Sequence, residues 1–211
     1  MKIYFIRHSE TDCNKNHLFY GKMDVPINEN GKVQAALLAQ HLKNVVFDHV
    51  YASDMRRVRQ TLDIVLDANH QACIHRPEIT YDAQMREIDF GLWEGKTYQE
   101  ISEQYPEDVQ TWAQDWEHSC PTGGESFKSF CTERVKNIFF NIIKDAQDKH
   151  LDNGTILIAA HNGVLQAMFV AMMGLSMSGM WHFQFEQDAY CRVDFEYDNF
   201  TIRRINAREE A

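Results

Sequence analysis

The chain has 211 residues, 44% of them hydrophobic, with 21 basic and 31 acidic side chains, a formal charge of −10. A chain this long buries enough surface to need neither disulfides nor a structural metal, and its net negative charge excludes a protein that coats nucleic acid or an anionic membrane. The five cysteines, at 13, 73, 120, 131 and 191, are odd in number and form no Cys-x-x-Cys pair, so they signal neither a disulfide framework nor a zinc ribbon. In chain order, Ile3–Ile6 is a short apolar run with the length of a buried strand, too short for the apolar region of a secretory signal. Gly31–Leu42 and Met55–Leu66 show helical spacing, with a strand end at Val50–Ser53 between them, and Ser126–Lys149 is a long helix with Phe127, Phe130, Val135, Ile138, Phe139 and Ile142 on its apolar stripe. Thr155–Ala160 repeats the buried-strand pattern. After Trp181 the chain reads as strands at His182–Phe185, Tyr190–Phe195 and Phe200–Ile205, with a turn at Asp198-Asn199. This alternation predicts a three-layer α/β sandwich, a largely parallel central sheet flanked by helices. No stretch approaches 18 apolar residues, so a cytoplasmic protein with reduced thiols is expected.

The charge is unevenly placed. Residues 82–125 hold eleven carboxylates against two basic residues, nearly all of the net charge, together with Trp93, Trp112 and Trp116. This stretch is expected to be a small helical cap or lid inserted into a single domain spanning 1–211, with helices on either side of Tyr105-Pro106. The plainer alternative is a solvated helical face with Trp112 and Trp116 turned into the core. The ten histidines raise a metal hypothesis, but there is no His-Glu-x-x-His, and His118-Ser119-Cys120 reads as a loop. No metal and no cofactor are expected.

Both apolar runs lead into a histidine, which places the ring at the carboxyl edge of a sheet, where open α/β folds form their ligand crevices. The first gives Arg7-His8-Ser9-Glu10-Thr11 with Asn14 just beyond, and the second gives Ala160-His161-Asn162-Gly163. Between them, Ser53-Asp54-Met55-Arg56-Arg57 follows a strand and opens a helix, where anions are favoured. Arg86-Glu87 precedes the glycine-punctuated turn Phe90-Gly91-Leu92-Trp93-Glu94-Gly95.

In this order the four elements resemble the histidine phosphatase superfamily, the phosphoglycerate-mutase-like enzymes, over nearly the whole chain. The resemblance implies the corresponding fold, with His8 as nucleophile, Arg7 and Arg57 as phosphate clamps, Glu87 as proton donor and His161 as the second histidine. Asn14 and Asn162 would add contacts to the phosphate. The chemistry fits those residue types. Phosphate monoester hydrolysis needs up to about 10²¹-fold acceleration, and a site without metal must offer fixed cations to the phosphoryl oxygens, which two arginine forks do. A neutral imidazole can attack phosphorus, and water can then attack the phosphohistidine. The leaving alkoxide needs a neutral carboxylic acid, a form that a free Glu takes in roughly one copy in 500 at pH 7. His161 is expected to donate to the transferring oxygens, preferably as a cation.

The chain departs from the family pattern at Ser9, where glycine is usual, at Ala160 and Asn162 beside His161, and at Leu18 and Tyr20, where many members have Arg and Gln. Ser9 could crowd the phosphate or add a hydrogen bond to it. The Phe-Gly-Leu-Trp-Glu-Gly turn looks like the phosphatase branch rather than the mutases. Asp115-Trp116-Glu117-His118, Pro121-Thr122-Gly123-Gly124-Glu125, Met180-Trp181-His182-Phe183 and Glu186-Gln187 are similar to the alpha-ribazole phosphatases, which remove a 5′-phosphate from a dimethylbenzimidazole riboside in cobalamin assembly. The expected partner is therefore a small-molecule phosphate ester, and oligomeric state is open. The alternatives are a broad sugar-phosphate phosphatase, a phosphoglycerate-type mutase or a silent phospho-ligand binder. Gly91–Thr97 resembles a P-loop, but with three residues between its glycines where four are needed.

Overall fold

The computed structural model describes residues 1–72 and 76–211, so Cys73 lies outside the described residues. Strand β1 (Lys2–Arg7) is followed by helices α1 (Asp12–Lys15) and α2 (Glu29–Leu42), strand β2 (His49–Ser53), helix α3 (Arg56–Ala72) and strand β3 (Glu78–Asp82). Helices α4 (Tyr98–Gln104) and α5 (Pro106–Gln114) flank Tyr105, as expected, and a π-helical stretch, Ser129–Val135, runs into α6 (Lys136–Asp148). Then come β4 (Thr155–Ala160), α7 (Asn162–Met173), β5 (Tyr190–Glu196) and β6 (Asn199–Ala207). The six strands form one sheet in the order β3-β2-β4-β1-β5-β6, parallel from β3 to β1 and antiparallel at β5 and β6.

Alternation along the central strands builds the three layers. Ile3 and Phe5 of β1 and Ile156 and Ile158 of β4 face α6 and α7, while Tyr4, Ile6, Leu157 and Ala159 face α2 and α3. Each Ile, Leu or Phe among them, wholly buried, contributes about 1.5–3 kcal/mol. Both faces of the sheet are covered, which is why the central strands are apolar runs rather than alternating ones.

Three sequence expectations change. His182–Phe185 is no strand: a 3₁₀ turn, Met177–His182, leads into irregular chain whose Phe185 N–H and carbonyl bond side chains rather than a sheet neighbour. The last hairpin turns at Tyr197 and Asp198, both at positive φ (51° and 57°), the two-residue turn whose twist matches antiparallel strands. The helix expected over Ser126–Lys149 is broken in register by the π-helical stretch.

Candidate active site

Strand register brings the two histidines together. Arg7 of β1 pairs with Ala160 of β4, and the His8 N–H donates to the Ala160 carbonyl at 3.0 Å, so both chains leave the sheet side by side and the rings lie 5.2 Å apart. Ser53 ends the adjoining strand β2, and α3 starts three residues later with Arg57 in its first turn. The crevice therefore sits at the carboxyl edge of parallel strands, as the sequence implied.

The environment of each ring fixes its tautomer. His8 is 4% exposed, and its Nδ1 lies 2.9 Å from the Ser9 carbonyl, which can only accept. The ring proton is therefore on Nδ1, and the Nε2 lone pair is free. Burial first, then Arg57 and Arg7, hold the His8 pKa well below its usual value. His161 is fully buried; its Nδ1 accepts from Arg57 Nε at 3.2 Å and its Nε2–H donates to Ser53 Oγ at 2.9 Å. Burial, Arg57, His8 and Arg7 likewise push its pKa well down. With Nδ1 accepting from Arg57, His161 carries a single ring proton in the free enzyme; the cation was expected for the step in which the phosphoryl group transfers.

Arg57 is wholly buried and held on three sides, by His161, by the Met23 carbonyl (2.8 Å from Nη1) and by the Gly21 carbonyl (2.9 Å from Nη2). The loop that supplies those carbonyls is itself fastened by Glu94, whose oxygens accept from the Gly21, Lys22 and Met23 N–H groups at 2.7–2.9 Å. A Cβ at Gly21 would lie 1.7 Å from the Ile88 carbonyl oxygen, so only glycine fits there. The guanidinium also lies 4.8 Å from the centroid of Tyr20. Arg7 donates from Nη1 to the Phe185 carbonyl at 3.0 Å, while its buried Nε has no hydrogen-bond partner among the described residues.

Glu87 reaches the same crevice from the segment after β3. Its Oε2 accepts the Gly163 N–H at 2.9 Å in the first turn of α7, and its Oε1 accepts the Ile88 N–H at 3.0 Å. Asn162 lies beside it and accepts the Phe185 N–H at 3.2 Å. Asn14 turns its Oδ1 toward the Thr11 N–H (3.1 Å), Tyr20 hydroxyl (2.9 Å) and Gln187 Nε2 (3.0 Å), which leaves its amide N–H groups to face elsewhere. All of the residues singled out in the sequence thus converge, and Ser9 neither crowds the crevice nor points into it. Its N–H donates to Thr61 Oγ1, and its hydroxyl turns to the Gln187 carbonyl at 3.4 Å.

Against Glu87 and Asn162 lies a cavity of about 330 Å³, lined by the rings of Phe19, Phe90, Trp93, Trp112, Phe127 and Trp181. Trp112 and Trp116 are neither on a solvated face nor in the core: both are half-buried, Trp112 against Trp93 (6.1 Å) and Trp116 against Trp181 (5.2 Å). Among the described residues no group of three His, Cys, Asp or Glu side chains is placed to hold a metal ion, and no helix is long and apolar enough to cross a membrane. A family model described as the Histidine phosphatase superfamily (branch 1) matches residues 3–208.

The chain belongs to the histidine phosphatase superfamily.

It is an enzyme of the phosphatase class. This histidine phosphatase is 31% identical over 208 residues to the adenosylcobalamin/alpha-ribazole phosphatase of Escherichia coli strain K12, covering 99% of this chain and 97% of that one. It is 29% identical to phosphoserine phosphatase 1 of Hydrogenobacter thermophilus, covering 98% and 92% of the two chains. Among solved structures, the alpha-ribazole phosphatase from Shigella flexneri superposes with a TM-score of 0.88 at 30% identity, over 100% of this chain and 98% of that one. Sequence reasoning missed Ser53 as the partner of His161, and it quoted Gln187 without giving it a place in the site. Ser53 stands in the quoted Ser-Asp stretch, but Gln187 is 173 residues from Asn14 and no local signal joins them.

Proposed function

We propose that this phosphatase removes the 5′-phosphate of alpha-ribazole 5′-phosphate through a phosphohistidine on His8, serving assembly of the cobalamin nucleotide loop. The observation that carries the substrate is the aromatic cavity beside Glu87 and Asn162. Its volume falls in the roughly 300–1,000 Å³ range of small-molecule sites, and ring stacking on a base contributes about 1–3 kcal/mol. The relatives named alpha-ribazole phosphatases support the same substrate. The phosphoserine phosphatase relative has a substrate with no ring to stack, and the six rings here favour an aromatic leaving group over a bare sugar or amino-acid ester.

Arg7 and Arg57 bind the phosphoryl oxygens, joined by Asn14 and by Asn162 at the start of α7. The His8 Nε2 lone pair attacks phosphorus, the ester P–O bond breaks, and Glu87 in its acid form gives its proton to the leaving 5′-oxygen. Water then attacks the P–N bond while Glu87 takes up a proton, which frees phosphate and restores neutral His8. Arg57 faces the oxygens that gain charge in both steps, and His161 joins it by turning its single Nε2–H from Ser53 Oγ to them. Residues 82–125 supply Trp93 and Trp112 to the cavity and act as a cap on a single domain, their carboxylates forming a rim that repels more highly charged esters.

The test is kcat/KM for alpha-ribazole 5′-phosphate beside ribose 5-phosphate, phosphoserine and 3-phosphoglycerate. A preference of at least tenfold for the riboside over each of the others is expected, and equal or better turnover of any of them overturns the substrate.

A further inference from the structure

The irregular chain between the 3₁₀ turn and β5 touches the site more often than any catalytic role requires. Its Phe185 carbonyl accepts from Arg7 Nη1 at 3.0 Å, and its Phe185 N–H donates to Asn162 Oδ1 at 3.2 Å. Two residues on, both hydrogen-bond donors of the Gln187 amide cross to the other wall of the crevice: Nε2 lies 3.0 Å from Asn14 Oδ1 and 3.3 Å from the His8 carbonyl. The Gln187 carbonyl faces the Ser9 hydroxyl at 3.4 Å. One three-residue segment thus meets Arg7, His8, Ser9, Asn14 and Asn162.

Three of the departures from the family pattern, Ser9, Tyr20 and Asn162, fall on this same network. Ser9 stands where glycine is usual, and its hydroxyl turns toward Gln187. Tyr20 donates to the Asn14 oxygen that Gln187 also meets, and its own hydroxyl accepts from Thr11 Oγ1 at 2.9 Å. The Thr11 backbone N–H can only donate, so it decides which end of the Asn14 amide faces the network. Tyr20 and Gln187 then hold that oxygen from two further directions.

We propose that Gln187 is a positioning residue for the phosphate site, bracing Asn14 and the His8 end of β1 across the crevice so that the Asn14 amide N–H groups are presented to the phosphate. This rests on the reading of Asn14 as a phosphate contact and not on the identity of the ester's organic part. Gln187 does not touch the reacting atoms. It acts through Asn14 of α1 and the His8 carbonyl just beyond β1, 173 and 179 positions away in sequence.

The experiment uses the full chain, inorganic phosphate as competitive inhibitor and p-nitrophenyl phosphate as substrate. Gln187→Met keeps the length of the side chain and removes both donors. The inhibition constant for phosphate and the KM are expected to rise about tenfold, the scale of one lost hydrogen bond to a polar partner, with kcat falling less than KM rises and Tm almost unchanged. Gln187→Glu, which sets carboxylate oxygens against two carbonyl oxygens, is expected to be worse. In an Asn14→Ala background, Gln187→Met should add less than a factor of two, because the group it braces is gone.

A phosphate inhibition constant within twofold of the wild type in Gln187→Met overturns the proposal, as does a full tenfold effect that persists without Asn14. An Asn14→Ala enzyme with unchanged phosphate affinity would sink the phosphate-contact reading and the proposal together, so the two failures are told apart. Should Gln187→Met not fold, Tyr20→Phe removes another side-chain donor to the same oxygen, and it must weaken phosphate in the same direction for the brace to stand.

Discussion

Arg57 Nε lies 3.2 Å from His161 Nδ1. A guanidinium can only donate, so Nδ1 accepts, the single ring proton sits on Nε2, and Ser53 Oγ receives it at 2.9 Å. The free enzyme at pH 7 is expected to show His161 in nitrogen-15 NMR as the neutral Nε2–H tautomer; a doubly protonated ring would overturn this. Ser53→Ala leaves a buried N–H without its acceptor, a penalty of about 1–3 kcal/mol that can be relieved by moving the proton to Nδ1 and disturbing Arg57. Mixed tautomers and a fall of about tenfold in kcat/KM are expected together. Wild-type kinetics in Ser53→Ala would show that the serine is dispensable.

Two buried neutral histidines make stability depend on pH. The pKa values of His8 and His161 are both held below the ordinary value of about 6.5, so the unfolded chain binds more protons than the folded one as pH falls through that value. The sign is a loss of stability with acid, starting near pH 6.5 and continuing until the lowered folded values are reached. Two such groups give a slope of up to about 2.7 kcal/mol per pH unit. Thermal melts from pH 8 to 5 should show Tm falling below pH 6.5, with a shallower fall in His8→Ala, whose kcat should also be abolished. A Tm that is flat across this range, or the same slope in both proteins, would contradict the assignment.

The two histidines of the candidate site were legible because each follows an apolar run, and a buried strand delivers its next residue to the sheet edge whatever the rest of the chain does. Arg57 was legible for the same reason, at a helix start after β2. His161's charge was not, because it depends on Arg57 and Ser53 arriving from another strand and helix. The strand misread at His182–Phe185 has a related origin. Its alternating Phe183 and Phe185 do turn inward, but they pack against Phe169 of α7, at 5.4 and 4.8 Å, instead of joining the sheet. The short edge strand β3, whose side chains are exposed or only partly buried, gave no apolar run to detect.

Gly163 sets how closely Glu87 can approach α7. A Cβ there would lie 2.4 Å from Glu87 Oε1, well inside contact distance, so Gly163→Ala must push the carboxylate aside. The variant should behave as a damaged Glu87: slow with an alkyl phosphate, whose leaving oxygen needs a proton, and nearly normal with p-nitrophenyl phosphate, whose leaving group does not. Glu87→Gln should give the same split more strongly. Equal slowing of the two esters in both variants would argue against a proton donor at this position.

The six rings of the cavity separate binding from stability. Trp93 is 1% exposed and wedged among Phe19 and Trp112, at 5.8 and 6.1 Å, so truncation to alanine is expected to cost about 3–5 kcal/mol and to lower Tm sharply. Trp181 is 53% exposed and only its inner face meets Phe127 and Trp116, so its truncation should leave Tm almost unchanged. If that face stacks on the base of the ester, Trp181→Ala should raise KM for alpha-ribazole 5′-phosphate about 5- to 150-fold, the equivalent of 1–3 kcal/mol, and leave ribose 5-phosphate within about twofold. Measuring both esters on one enzyme preparation removes differences in active fraction. A parallel rise for both would place the lost interaction at the phosphate or sugar. No change for either would mean that the base lies elsewhere, and the choice of an aromatic leaving group would lose its structural ground.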